Sequence, residues 1–124
     1  MSDCSCGCGA APKFVFSCSG SADVGEVADQ AARELSRQGK IKMFCLAGIG
    51  GRISGMVKST EASDQIIAID GCPLNCARNT LEQAGFSEFD HIELHALGFK
   101  KGESPVSQES INAVVEEVTK LIKG

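Results

Sequence analysis

The 124-residue sequence contains no tryptophan and no tyrosine, only two histidines, and no apolar run of the length needed to cross a bilayer. Six phenylalanines make up the whole aromatic content, so the stacking platforms that bases and sugars require are scarce. Positive charge is short as well: twelve Lys and Arg stand against sixteen Asp and Glu, for a formal charge of −4 and a pI near 5.1. Such a chain is not drawn to phosphate backbones or anionic lipid, and neither nucleic acid nor a membrane is expected as its partner. The first residues lack the basic stretch leading into an apolar one that export requires, which makes a cytoplasmic location the expectation. There is no Ser/His/Asp set, no paired carboxylates, and no histidine placed by sequence to activate a thiol. A non-enzymatic role is therefore favoured.

What is abundant is cysteine. Seven in so short a chain is a high count, and an odd number cannot all pair internally. In a reducing compartment such clusters point to metal binding or thiol chemistry before they point to a disulfide framework. The length suits one domain and, by expectation, a monomer. Cys4, Cys6 and Cys8 fall in a stretch with almost no bulky apolar side chain, which divides the chain into a flexible Cys-rich tail (1–12) and a single α/β domain (13–124). Alternating thiols in the tail can gather one soft ion or do nothing specific.

From residue 13 onward, short apolar runs alternate with helical periodicity. Lys13 to Phe16 predicts a strand that ends at Ser17-Cys18-Ser19-Gly20. Asp23 with Glu26 reads as a capping box opening a helix whose stripe is Val24, Val27, Ala28, Ala31 and Leu35, stopped by Gly39. Ile41 to Leu46, interrupted by Lys42, predicts an edge strand with Cys45 near its end. The glycine-rich segment Ala47 to Gly55 fails the dinucleotide spacing because Ile53 stands at the third glycine position, and it is read as backbone packed close to the site, with a short helix from Ile53 to Glu61. Ile66 to Ile69 predicts a central strand. Pro73 as first helical residue would make Cys72 the N-cap and put Cys76 in the first turn of a helix that buries Leu74, Ala77, Leu81 and Ala84 and stops at Gly85. His91 to Leu97 alternates as a half-buried edge strand. There His91 and His95 lie about 13 Å apart and are read as solvated. A last helix from Ser107 buries Ile111, Val114, Val115, Val118, Leu121 and Ile122, after a solvated loop at 98–104.

Strands alternating with helices predict a small three-layer open sheet, mostly parallel, in the order 2-1-3-4, flavodoxin- or Rossmann-like, with helices on both faces. Right-handed crossovers bring every strand's carboxyl end to one edge. Cys18, Cys45 and Cys72 fall at three such ends, and Cys76 follows one turn on. Four thiolates suit a tetrahedral zinc ion or another soft metal, with Cys45 the weakest of the four ligands. The competing expectation is thiol redox or sulfur-transfer chemistry with Cys72 as nucleophile, although three residues separate it from Cys76 where the thioredoxin motif has two. A cofactor or anion site on the Gly48–Gly55 loop ranks last.

Ile69-Asp70-Gly71-Cys72-Pro73-Leu74-Asn75-Cys76-Ala77 resembles the signature of the DGC-domain family, named from its Asp-Gly-Cys tripeptide. Ser17-Cys18-Ser19-Gly20 and Cys45-Leu46-Ala47-Gly48-Ile49-Gly50-Gly51 look like that family's other cysteine segments. The likeness spans about residues 13–124 and leaves the tail outside. It implies zinc ligation by Cys18, Cys45, Cys72 and Cys76 and no settled activity; metal storage, sensing or delivery is the role expected of such a site.

Overall fold

The structure, a computed structural model, describes residues 11–124; Cys4, Cys6 and Cys8 lie outside the described residues. The elements run β1 (Lys13–Ser17), α1 (Asp23–Arg37), β2 (Lys42–Met43), α2 (Leu46–Gly50), α3 (Ser54–Glu61), β3 (Gln65–Asp70), α4 (Cys76–Gln83), β4 (Asp90–Glu93), a 3-10 turn (Leu94–Leu97) and α5 (Gln108–Thr119). The four strands pair in the order β2-β1-β3-β4, every pair parallel. This is the expected α/β architecture and strand order. No helix among the described residues is long and apolar enough to cross a membrane.

Alternation along the strands divides the core. Val15, Ile67, Ile69 and Ile92 face α1 and α5, where Val27, Ala28, Leu35, Val114 and Val118 complete one cluster. Phe14, Phe16, Ile66 and Ala68 face the other way onto Ile49 of α2 and Ala77 and Leu81 of α4. Phe14 stacks on Phe44 at 4.2 Å between ring centroids. Each fully buried side chain of the size of Phe16 or Leu35 contributes about 1.5–3 kcal/mol by leaving water, and together these faces fix which strand ends meet.

Several local expectations are corrected. The second strand is only two residues long, because Phe44 makes the last ladder bond, to the Val15 carbonyl, and the chain then turns into α2. The glycine-rich segment thus opens with the helix α2 in place of a loop and, after a turn, runs into the expected short helix α3. Arg52, left-handed at φ 58°, closes that turn by donating to the carbonyls of Ile49 and Gln83. Ala22, not Asp23, is the N-cap of α1. The Asp23 carboxylate instead accepts N–H bonds from Val24, Gly102 and Ser104, so the 98–104 loop is tied to α1 and Ser104 is buried. The fourth strand stops at Glu93, and His95 lies exposed in the 3-10 turn that follows. Leu121 lies beyond the end of α5 and is exposed.

Candidate functional site at the carboxyl edge of the sheet

Because β2, β1 and β3 are successive neighbours, their carboxyl ends form one continuous edge. Cys45 follows β2 as the N-cap of α2, Cys18 follows β1, Cys72 lies two residues past β3, and Cys76 is the first residue of α4. All four thiols are free; Cys45 and Cys76 are exposed, Cys18 and Cys72 half-buried. The Cys18 N–H donates to the Ile69 carbonyl at 3.0 Å, which binds the end of β1 to the end of β3.

The Asp-Gly-Cys tripeptide can be read atom by atom. Asp70 is 1% exposed, and its two carboxylate oxygens accept the N–H groups of Ala77 (2.7 Å) and Arg78 (3.0 Å). These are orphan donors of the first turn of α4, so a carboxylate from the strand caps the helix across the intervening turn. Gly71 is needed for space: a Cβ there would lie 2.7 Å from the backbone of Val24, where the first turn of α1 crosses. Cys72 then opens a tight turn, closed by the Asn75 N–H on the Cys72 carbonyl at 3.2 Å, with Pro73 and Leu74 as its outward corners.

This turn corrects the expectation for the motif. The helix begins at Cys76, its N-cap is Asn75 in left-handed backbone (φ 54°, ψ 49°), and Pro73 is a turn residue instead of the first helical one. Cys72 therefore lies three residues before the N-cap instead of being the N-cap, and Leu74 is 67% exposed instead of buried. The physical reason is Asp70. It already satisfies the first-turn donors, so no cap is required of Cys72.

Strand alternation alone makes His91 a solvated residue. Its Nε2 instead sits 2.8 Å from Asp70 Oδ2, with the side chain only 16% exposed. A buried carboxylate at the end of a central strand needs partners, and that need was the signal for finding His91. Within the turn, Asn75 Oδ1 is buried and has no hydrogen-bond partner among the described residues, and neither has Arg78 Nε, whose nearest carboxylate, on Glu82, is 3.9 Å away.

Beside Cys18 and Cys45 opens a cavity of about 970 Å³. Met43, Phe44 and Leu46 form an apolar part of its wall, and α1 contributes Asp29, Arg33 and Arg37. Ser17 and Ser19, the neighbours of Cys18, are joined hydroxyl to hydroxyl, and Ser19 donates onward to Asp29 at 2.7 Å. Arg33 and Arg37 read from the sequence only as a solvated helix face, so this wall was missed; its sign was the charged spacing 29, 33, 37 on a helix that follows a cysteine turn.

Among the described residues no three His, Cys, Asp or Glu side chains are grouped so as to hold a metal ion. The donor chemistry nevertheless suits a soft ion, because the four free thiols at this edge of the sheet are soft ligands.

The sequence model of the DGC domain matches residues 14–118. The chain is also 34% identical, over 105 residues covering 83% of it and 80% of the relative, to the anaerobic and virulence modulator AnvM of Pseudomonas aeruginosa. No solved structure matches significantly.

Proposed function

This chain belongs to the DGC-domain family, and from that premise we propose that it is a metal-binding protein whose carboxyl-edge thiolates, Cys18, Cys45, Cys72 and Cys76, hold zinc or a related soft cation. The observation that carries the reading is the placement of four free thiols along the ends of three adjacent strands. Zinc bound there would supply a closed thiolate site of the structural or exchangeable kind. The protein's own part is to hold the donors: β1 and β3 are tied through Cys18 and Ile69, Asp70 anchors the start of α4, and Gly71 lets α1 close over the tripeptide. A relative named as a modulator fits a sensing or delivering role better than an enzymatic one.

The test is elemental analysis of the full chain purified without added metal, with reactive thiols counted before and after chelation. About one ion per chain, with thiols released only by the chelator, supports the proposal. Cys72→Ser with Cys76→Ser should abolish retention, whereas deletion of residues 1–9 should leave it. Loss of the ion on tail deletion alone would overturn the assignment.

A further inference from the structure

Arg33 and Arg37 stand one turn apart on the outward side of α1 and reach the rim of the cavity that Cys18 and Cys45 line. Arg33 meets Asp29 through Nε at 2.7 Å, and among the described residues its terminal nitrogens make no hydrogen bond. Arg37 gives Nε and one terminal nitrogen to Glu34, which lies outside the lining, and keeps the other uncommitted. Each guanidinium is thus paired with one carboxylate, Arg33 with Asp29 and Arg37 with Glu34, and among the described residues three terminal nitrogens, both of Arg33 and one of Arg37, remain free to donate. Met43, Phe44 and Leu46 line the same cavity, as do Cys18 and Cys45.

These surroundings select a class of ligand. A volume of about 970 Å³ admits a small peptide-sized molecule. Guanidinium donors match carboxylates in geometry and charge, and the apolar wall matches a short carbon chain. Exposed Cys45 is the accessible sulfur, because Cys18 packs partly into both core clusters. The wall is also built in advance: Ser17, Ser19 and Asp29 form a hydrogen-bonded chain that ends on Arg33, with Ser19 held at φ 51°.

We propose that this cavity binds the disulfide of a carboxylate-bearing low-molecular-weight thiol and that Cys45 exchanges with it. The Cys45 thiolate attacks one sulfur of the disulfide; the new Cys45–sulfur bond forms as the old sulfur–sulfur bond breaks. The departing half takes the electron pair and leaves as thiolate, to be protonated by water. The protein sulfur is oxidised and the departing sulfur reduced, with no other reactant. Arg33 and Arg37 hold the carboxylates while this happens. The step goes beyond the metal reading and requires no bound ion.

The experiment uses the reduced, chelated full chain with two probes of the same sulfur chemistry: oxidised glutathione, which carries carboxylates, and cystamine, which is cationic. Adducts are located by peptide mass spectrometry and timed. Oxidised glutathione should modify Cys45 about tenfold faster than Cys72 or Cys76, and the double variant Arg33→Gln/Arg37→Gln should slow that reaction about tenfold while leaving the reaction with cystamine no slower. Modification chiefly at any other cysteine, or a double variant that changes both probes alike or neither, would overturn the proposal. Circular dichroism on the double variant verifies folding, which two exposed side chains should not disturb. Zinc measured before chelation reports on the metal reading alone, so either proposal can fail without the other.

Discussion

The turns after β1 and β3 perform the same task by different means. Each carries a buried strand into a helix, each places a cysteine within two residues of the strand, and each holds a non-glycine residue in left-handed backbone, Ser19 at φ 51° and Asn75 at φ 54°. After β1 the polar groups are closed near the surface, by hydroxyls and by Asp29, an acid whose partner Arg33 is half-exposed. After β3 a single buried carboxylate does the work, gripping two helix N–H groups and a histidine from below, while Pro73 and Leu74 lie open above it. Cys18 is therefore fixed by many weak links, and Cys72 and Cys76 depend on one strong one.

The largest effect should come from breaking that strong link. Asp70→Ala strands two helix donors and the His91 ring, and since hydrogen bonds to charged groups contribute about 1.5–3 kcal/mol, a loss of about 3 kcal/mol is expected in urea unfolding. Asp29→Ala, the matching change at the first turn, should cost less than about 1 kcal/mol because its ion pair meets solvent. Equal losses would dissolve the contrast.

Gly71→Ala comes next. Its Cβ would press on the Val24 backbone at 2.7 Å, for a loss of about 1–3 kcal/mol. Gly20→Ala, whose Cβ would face open space, should stay within about 0.5 kcal/mol of the parent in the same assay.

The smallest effect is a pH dependence. Backbone N–H groups of Gly102, and then of Ser104, hold the Asp23 carboxyl below its ordinary value of 3.8. A carboxylate whose pKa is lowered by folding lends its stabilisation above the unfolded-state pKa and withdraws it as pH falls through the folded value. Thermal melts from pH 6 down to about pH 2.5 should therefore lose less stability in Asp23→Asn than in the parent. Identical acid slopes would show that the tie from α1 to the 98–104 loop carries no weight.

How far these features were legible in the sequence follows from which interactions are local. The parallel sheet came from helix and strand periodicity, the apolar stripe of α1 and the unbroken run 66–69 above all, and its order from the likeness of such alternation to flavodoxin-like sheets. Cysteines at strand ends followed from the same reasoning. The start of α4 did not, because Pro73 at a first helical position and Pro73 at a turn corner look alike until the role of Asp70 is known. The Asp70–His91 contact depends on strand register, in which His91 pairs with Ala68, and a two-residue β2 cannot be told from a longer one when Phe44 and Leu46 continue the apolar run.

The central claim is that the carboxyl-edge thiols share one ion, and X-ray absorption at the zinc edge of the zinc-loaded full chain addresses it directly. The account predicts a shell of sulfur neighbours at about 2.3 Å that loses members in Cys18→Ser and in Cys72→Ser alike. A sulfur shell unchanged by those substitutions, yet dismantled when Cys4, Cys6 and Cys8 are replaced by serine, would contradict it.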